Sequence, residues 1–104
     1  MPVVLIAELP ILQGKGAQFE EAFAELTAQV RANEPACLQY QLTKGQKDAT
    51  KYTVVEMYEN MAAIDAHGKT TWFKAGSKKF GAFLAGKPKV LLFDTVGEVA
   101  AARL

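Results

Sequence analysis

The period at which apolar residues recur changes several times along the chain, and the order of these periods constrains the fold more than any other feature. Residues 3–11 are rich in β-branched and aliphatic side chains and precede the turn signals Gly14 and Gly16, which predicts a strand. Across residues 17–33 the apolar side chains recur at three- and four-residue steps, which predicts an amphipathic helix. Pro35 ends this helix, because the residue before a proline is disfavoured in helical conformation.

A polar segment, residues 44–50, separates two further predicted strands and is typical of a hairpin loop. Residues 37–44 alternate as a half-buried strand does, with Leu38, Tyr40 and Leu42 predicted on the buried side. Residues 52–58 also alternate, with Tyr52, Val54, Glu56 and Tyr58 on one face and Thr53, Val55 and Met57 on the other.

The second helical region is predicted to consist of two pieces. Asn60 is placed to cap a short helix through His67, and Thr70 or Thr71 is placed to cap a second piece whose apolar side extends to Leu84. Residues 90–96 are the last predicted strand. The order β-α-β-β-α-β predicts an α+β fold, with a four-stranded antiparallel sheet and both crossover helices on one face.

Composition and charge narrow the classes of function. Twelve basic and eleven acidic residues leave a formal charge of +1, too small a basic field to hold nucleic acid. The single cysteine, Cys37, excludes an internal disulfide and fits a reducing compartment. The first residues lack a basic signal-peptide region, and no apolar stretch is long enough for a membrane span. We expect one soluble, cytoplasmic domain over residues 1–104 that binds neither nucleic acid nor membrane.

The first and last predicted strands are apolar on both sides, although two helices can cover only one face of the sheet. Continuous apolar strands indicate burial on both faces. The sequence therefore predicts that a second copy covers the open face, most simply as a twofold homodimer. The alternative is that these end strands are merely apolar.

Three segments in the middle of the chain together resemble the antibiotic biosynthesis monooxygenase (ABM) domain family. Residues 34–42 read Glu-Pro-Ala-Cys-Leu-Gln-Tyr-Gln-Leu, residues 52–58 end in Glu-Met-Tyr, and an alanine-rich turn leads to His67. The family typically has an acid, a Gly-Cys pair and an aromatic residue in strand two, then Glu-x-aromatic in strand three and a histidine. This chain departs from the pattern at Ala36, where glycine is usual, and at Tyr58, where tryptophan is frequent.

The resemblance implies a ferredoxin-like fold that forms a dimeric α+β barrel, with a pocket between helices and sheet in each subunit. Members include cofactor-independent oxygenases of quinol-like and polycyclic aromatic compounds, haem-degrading enzymes and an isomerase of a phosphorylated sugar derivative. The haem-degrading members use an asparagine in the first strand and a histidine in the second long helix. Residues 3–11 contain no asparagine and residues 72–84 no histidine, so haem degradation is not expected.

We therefore expect a monooxygenase that oxidises a quinol-like or polycyclic aromatic molecule with O2. The alternatives are a ligand-binding protein or isomerase acting on a small polar or phosphorylated metabolite, or an inactive dimeric unit. Lysines 69, 74, 78 and 79 would guide an anionic ligand, or simply form a solvated helix face. No nicotinamide or flavin fingerprint is present, a lone histidine is a poor metal site, and we expect no cofactor.

Two residues are the candidates for catalysis. His67 is the only histidine, and its imidazole suits a general base, although a histidine at a helix end also bonds free carbonyls. Glu56 lies mid-strand, where an unpaired carboxylate is costly to bury. It should be paired, protonated through a raised pKa, or lining a pocket or the dimer seam, with Arg31, Lys51 and Lys87 as possible partners. Glu34 carries a weaker version of the same argument.

Aromatic side chains are the candidates for binding a planar substrate, although most aromatic residues at strand or helix spacing form ordinary core. Tyr40 and Trp72 are favoured for the pocket wall, because each has a polar group on a large apolar body. The predicted substrate-binding residues are Tyr40, Tyr58, Trp72, Phe73 and Phe83. Cys37 is expected to behave as a small buried hydrophobe and not as a nucleophile.

Overall fold

The computed structural model describes residues 1–100, which form one four-stranded antiparallel sheet covered on one face by helices. The elements in chain order are β1 (Val3–Pro10), α1 (Gly16–Asn33), β2 (Cys37–Lys44), β3 (Lys51–Tyr58), α2 (Met61–Gly68), α3 (Thr71–Phe80) and β4 (Lys89–Asp94). The predicted α+β class and ferredoxin-like order are confirmed, with the second crossover divided into α2 and α3. No helix among the described residues is long and apolar enough to cross a membrane.

The sheet has the strand order β2-β3-β1-β4, with every neighbouring pair antiparallel. Glu56 of β3 pairs with Leu5 on one side and with Tyr40 on the other. Directly paired residues project to the same face of a sheet, so these three side chains all point toward the helices. The predicted division of β3 into two faces is confirmed, and the structure shows that the face with Tyr52, Val54, Glu56 and Tyr58 is the buried one.

The core lies between α1, α3 and the sheet. The helical spacing predicted for residues 17–33 buries Phe19, Phe23, Leu26 and Val30 along one side of α1. Phe19 is fully buried, and its ring meets the rings of Tyr52 and Phe80 edge-on at centroid distances of 5.0 and 5.2 Å. These aromatic contacts attach α1 to both the sheet and α3.

The junction between α2 and α3 is fixed by capping side chains. Asn60 caps α2 as predicted, with its Oδ1 accepting from the Ala63 N–H at 2.9 Å. Of the two threonines considered for α3, Thr70 is the cap, and its hydroxyl accepts from the Phe73 N–H at 3.2 Å. The same hydroxyl donates to the His67 carbonyl at 2.8 Å, which ties the end of α2 to the start of α3.

Two predicted boundaries are wrong. The helical piece expected to extend to Leu84 ends at Phe80, because the backbone beyond it bonds to the end of β1. Leu84 forms a bridge with Ile11, and the Ala85 N–H donates to the Pro10 carbonyl at 2.9 Å. The last strand ends at Asp94 and not at residue 96.

The predicted inward position of Leu38 is also wrong. A register shift between Cys37 and Gln39 interrupts the pairing of β2 with β3. Such a bulge adds one residue to a strand and reverses the alternation around it. Leu38 is therefore exposed, while Cys37 packs against the core together with Tyr40 and Leu42.

The face of the sheet opposite the helices carries an apolar patch, which we call the open-face patch. Its members are Val4, Ile6, Val55, Met57, Leu91 and Phe93, which the strand pairing places side by side in two rows of three. No described helix covers this face, and Phe93 is 50% exposed. On the helix side of the same edge strand, Val90 is also 57% exposed.

Candidate active site

A cavity of about 270 Å³ lies between the sheet and helices α2 and α3. Its wall is mainly apolar, with residues from β1, β3, β4 and α3. The larger polar side chains that reach the wall are Tyr40, Glu56 and His67. A mostly apolar hollow with a few convergent polar groups is the usual form of a small-molecule site.

His67 contributes the most distinctive chemistry to this wall. It lies in the last turn of α2 and is only 4% exposed. Its Nδ1 lies 2.8 Å from Glu34 Oε1 and 3.0 Å from Oε2, so the Nδ1–H donates to this carboxylate. The other ring nitrogen, Nε2, is buried and has no hydrogen-bond partner among the described residues. The alternative that the ring bonds helix carbonyls is not observed.

Glu34 connects His67 to Trp72. Glu34 is the residue that caps the C-terminus of α1, and its own N–H donates to the Val30 carbonyl at 2.9 Å. The indole Nε1–H of Trp72, in the first turn of α3, donates to Glu34 Oε2 at 2.7 Å. Trp72, expected in the pocket wall, is not among the residues that line the cavity. Its polar atom is directed to Glu34 instead.

Glu56 is the second carboxyl group of the site. Its Oε1 accepts from the Tyr58 hydroxyl at 2.5 Å, so its partner is a phenol and not Arg31, Lys51 or Lys87 as considered above. Burial raises the pKa of Glu56 to about 7; the Tyr58 bond opposes this rise, and the negative charge of Glu34 adds to it. Near neutral pH this carboxyl group is therefore protonated in much of the population.

Aromatic rings surround the imidazole. Tyr40 stacks on Phe23 at a centroid distance of 5.4 Å and meets the His67 ring at 5.4 Å and 61°. The Phe73 ring lies 4.7 Å from that of His67. Burial raises the pKa values of Tyr40 and Tyr58 far above the ordinary range, so both phenols remain hydrogen-bond donors at neutral pH.

Of the residues predicted to form the site, the fold brings most to one place. Tyr40, Glu56, His67 and Phe73 line the cavity. Tyr58 lies behind Glu56, and its ring is 5.6 Å from that of His67. Phe83 does not line the cavity but packs against the core near the end of α3.

Cys37 lies close to both carboxyl groups of the site without being activated. Burial, followed by the charges of Glu34 and Glu56, raises the pKa of its thiol to about 11. Since the thiolate is the nucleophilic form, this cysteine is a poor nucleophile at neutral pH.

The lysines considered as guides for an anion are separate from the cavity. Lys69, Lys74, Lys78 and Lys79 are exposed, and none of them lines its wall. Lys79 instead pairs with Glu25 at 2.9 Å on the outer face of α1 and α3. Within residues 1–100, no group of three or more His, Cys, Asp or Glu side chains is arranged to hold a metal ion.

A wider groove, about 730 Å³, lies where α1 begins beside the β2–β3 loop. Both of its carboxylates already have partners: Glu20 accepts from the Tyr52 hydroxyl at 2.5 Å and pairs with Lys44 at 2.9 Å, and Asp48 accepts from the Thr50 hydroxyl at 2.6 Å. The groove is open to solvent, and none of the described residues that line it has a buried side-chain polar atom without a partner. The smaller cavity at His67 is therefore the better candidate for chemistry.

The place of Glu34 in the site is not apparent from local sequence patterns. Glu34 lies 33 residues before His67, and no local periodicity connects the two residues. The available signal was its position as the acid that precedes the cysteine in the motif of residues 34–42. The fold gives this acid a specific partner.

Comparison with known proteins agrees with this architecture. The family model of antibiotic biosynthesis monooxygenase matches residues 2–79. A structure from Caulobacter crescentus, named as a candidate antibiotic biosynthesis monooxygenase, is 40% identical with a TM-score of 0.89, over 92% of this chain and 91% of that one. A second structure, named antibiotic biosynthesis monooxygenase, is 28% identical with a TM-score of 0.84, over 91% and 99%.

A protein from Nitrosomonas europaea, also named for that family, is 19% identical with a TM-score of 0.87, over 91% of this chain and 90% of its own, and shares the fold. The comparison with curated proteins finds no match. The family model spans most of the chain, and the Caulobacter structure matches nearly all of it at 40% identity. The chain belongs to the antibiotic biosynthesis monooxygenase family.

Proposed function

We propose that this protein is a cofactor-independent monooxygenase that oxidises a quinol-like or polycyclic aromatic molecule with O2. The observation that carries the proposal is the state of the His67 ring. Its Nδ1 is held by a carboxylate, while its Nε2 is buried in the wall of an apolar cavity with no partner within residues 1–100. Membership of the monooxygenase family supports the same class of reaction.

The first step is removal of a proton from a substrate hydroxyl group by His67 Nε2. A carboxylate on Nδ1–H selects the tautomer of the neutral ring that has a bare Nε2, and it stabilises the imidazolium that forms, as in hydrolase triads. A base placed in this way contributes about 10²- to 10⁴-fold to a rate. Glu34 supplies the carboxylate at 2.8 Å.

The apolar wall has a part in the second step. A phenolate or quinolate that is removed from water is a stronger electron donor, because no solvent shell stabilises its charge. The rings of Tyr40 and Phe73 are placed to flank a planar substrate beside the imidazole. Neutral Glu56 and the Tyr40 phenol are hydrogen-bond donors that orient its oxygen atoms.

The reaction balances without an external reductant. The substrate anion gives one electron to O2, and the two radicals combine to form a carbon–oxygen bond. The resulting hydroperoxide loses water, so one oxygen atom enters the product and the other leaves as water. All four electrons that reduce O2 come from the substrate. A quinol gives up four electrons as it becomes a hydroxyquinone. The imidazolium of His67 or the acid form of Glu56 returns the proton to the leaving oxygen.

We also propose that the protein acts as a homodimer in which two open-face patches pack against each other. Six apolar side chains on an uncovered sheet face form a patch that would be costly to expose to water in a monomer. A twofold axis would place the same patch of each copy in the interface. Sedimentation of the full chain at several concentrations tests this.

The cavity does not favour a phosphorylated metabolite. Its wall contains no lysine or arginine, and the Glu56 carboxyl lies there with the charge of Glu34 nearby. A phosphate group, which enters already charged, would meet repulsion and no lysine or arginine to pair with. An uncharged aromatic molecule meets neither penalty.

Oxygen consumption tests the proposed reaction. The purified chain is given a panel of naphthoquinols, anthrones and polycyclic phenols, and uptake above spontaneous oxidation is measured. The control Glu25→Gln, on the exposed face of α1, should retain full activity. His67→Ala should lose about 10²- to 10⁴-fold. With ¹⁸O2, one labelled atom should appear in each product molecule.

The proposal is wrong if no member of the panel causes uptake while sugar phosphates raise the melting temperature of the protein. It is also wrong in its assignment of the base if His67→Ala oxidises a responsive quinol as fast as the parent.

A further inference from the structure

We propose that Trp72 is a positioning residue, which holds Glu34, and through it the His67 ring, in the orientation that leaves Nε2 unprotonated. The inference rests on the proposed function, because the proposed proton transfer is what requires a bare Nε2. The contacts themselves do not depend on the substrate. The indole donates to Glu34 Oε2 at 2.7 Å, and the same oxygen lies 3.0 Å from His67 Nδ1.

The three residues come from three different helices. Glu34 ends α1, His67 lies in the last turn of α2, and Trp72 lies in the first turn of α3. Thr70, between the last two, also holds the His67 carbonyl at 2.8 Å. The imidazole is thus fixed through its backbone by the α2–α3 junction and through its side chain by Glu34. Both constraints depend on residues at the start of α3, namely its N-cap Thr70 and Trp72 in its first turn.

Glu34 requires a second donor in order to direct the ring. A glutamate has three rotatable side-chain bonds, and a single bond to Nδ1 leaves its carboxylate free to rotate. With the indole on Oε2, the plane of the carboxylate is set by two donors from different elements. With the carboxylate held in this plane, the Nδ1–H tautomer of His67 is favoured, because a bare Nδ1 would face two acceptor oxygens.

Trp72 acts through Glu34 and not on the substrate. It does not line the His67 cavity but lies beside Leu26, Gly76 and Lys79 in a groove on the outer side of α1 and α3. An effect of Trp72 on catalysis must therefore pass through the carboxylate.

The composition of the chain allows a direct test, since it contains one histidine and one tryptophan. Both ring nitrogens of His67 and the indole N–H of Trp72 give single, unambiguous signals in ¹⁵N NMR spectra. The parent should show neutral His67 as the Nδ1–H tautomer. Trp72→Phe, which keeps a ring but removes the donor, should give a mixture of both tautomers.

The matched control is Tyr52→Phe, which removes a donor to another glutamate of α1, Glu20, away from the cavity. It should leave the His67 tautomer unchanged. Should Trp72→Phe fail to fold by circular dichroism, Glu34→Gln in the intact chain gives the answer. In that variant the indole N–H resonance should move upfield and exchange faster with solvent than in the parent.

Steady-state kinetics distinguish a positioning role of Trp72 from a merely structural one. With a responsive quinol, Trp72→Phe should lower kcat by about 10-fold with KM within about twofold; a 10-fold loss is the lower end of the range for the hydrogen-bond partners of metal-ligating histidines. Tyr52→Phe should leave both constants unchanged. An Nε2–H tautomer in the parent, or an unchanged tautomer in folded Trp72→Phe, would overturn the inference. Absence of oxygen uptake by the parent would overturn only the proposed reaction, because the tautomer is measured without substrate.

Discussion

Glu56 should make the protein less stable as the pH rises through neutrality. Its pKa is about 7 in the folded chain, against an ordinary value of 4.5. Between these two values the folded chain binds a proton that the unfolded chain has lost, so the folded state is favoured at the acid end. The contribution of Glu56 to stability is complete below about pH 4.5 and declines as the pH rises through about 7.

The size of this effect follows from the same two values. Each pH unit between the folded and unfolded pKa corresponds to about 1.4 kcal/mol. The interval from 4.5 to about 7 therefore corresponds to about 3 kcal/mol in the free energy of unfolding. Glu56→Gln keeps the shape and an acceptor for Tyr58 but cannot ionise. This variant should match the parent near pH 5 and exceed its stability by up to about 3 kcal/mol near pH 8.

Urea unfolding followed by circular dichroism, at fixed protein concentration across this pH range, measures the difference. Glu25→Gln removes an exposed carboxylate from α1 and is the matched control for the loss of an acid. Its stability should follow the parent closely, since exposed ion pairs contribute little. If the curves of the parent and Glu56→Gln remain parallel from acid to base, the reasoning about burial of this carboxyl group is refuted.

Three further predictions concern the fold and the assembly. Phe19→Ala should cost about 3–5 kcal/mol in urea unfolding, because it leaves a cavity under three aromatic neighbours; a loss below about 1 kcal/mol would contradict its place in the core. Asn60→Ala should lower the free energy of unfolding by about 1 kcal/mol, because the α2 cap is lost. Asn60→Asp keeps an acceptor for the cap and should lose only a small part of this free energy in the same assay. Met57→Lys, within the open-face patch, should convert a sedimenting dimer into a monomer; unchanged sedimentation would place the interface elsewhere.

Local patterns were sufficient for most of the secondary structure. Alternation in residues 52–58 predicted which side chains of β3 share a face, because successive side chains of a strand must point to opposite faces. Asn60 predicted the start of α2, because the capping bond spans only three residues. The motif of residues 34–42 and the alanine-rich turn before His67 pointed to the family that the comparisons show.

Local patterns failed where a distant partner decides the geometry. The bulge that exposes Leu38 depends on the register with β3, and the end of α3 at Phe80 depends on bonds that the next residues make to β1. The role expected of Trp72 changed for the same reason, since its donor reaches an acid 38 residues away. Alternation and helical spacing contain no information about such pairings.

The sequence by itself determined the order of the elements, which side chains of α1 and β3 share a face, and the one imidazole available for proton transfer. These depend on hydrophobic periodicity and residue type, which are properties of short segments. The tertiary structure decided that Glu34 holds His67 and that Glu56 takes a phenol as its partner. It also left the Nε2 atom of His67 buried, with no hydrogen-bond partner in the part of the chain that the structure describes. Those outcomes depend on the packing of three helices against one sheet, which fixes side chains that are far apart in the chain within hydrogen-bond distance.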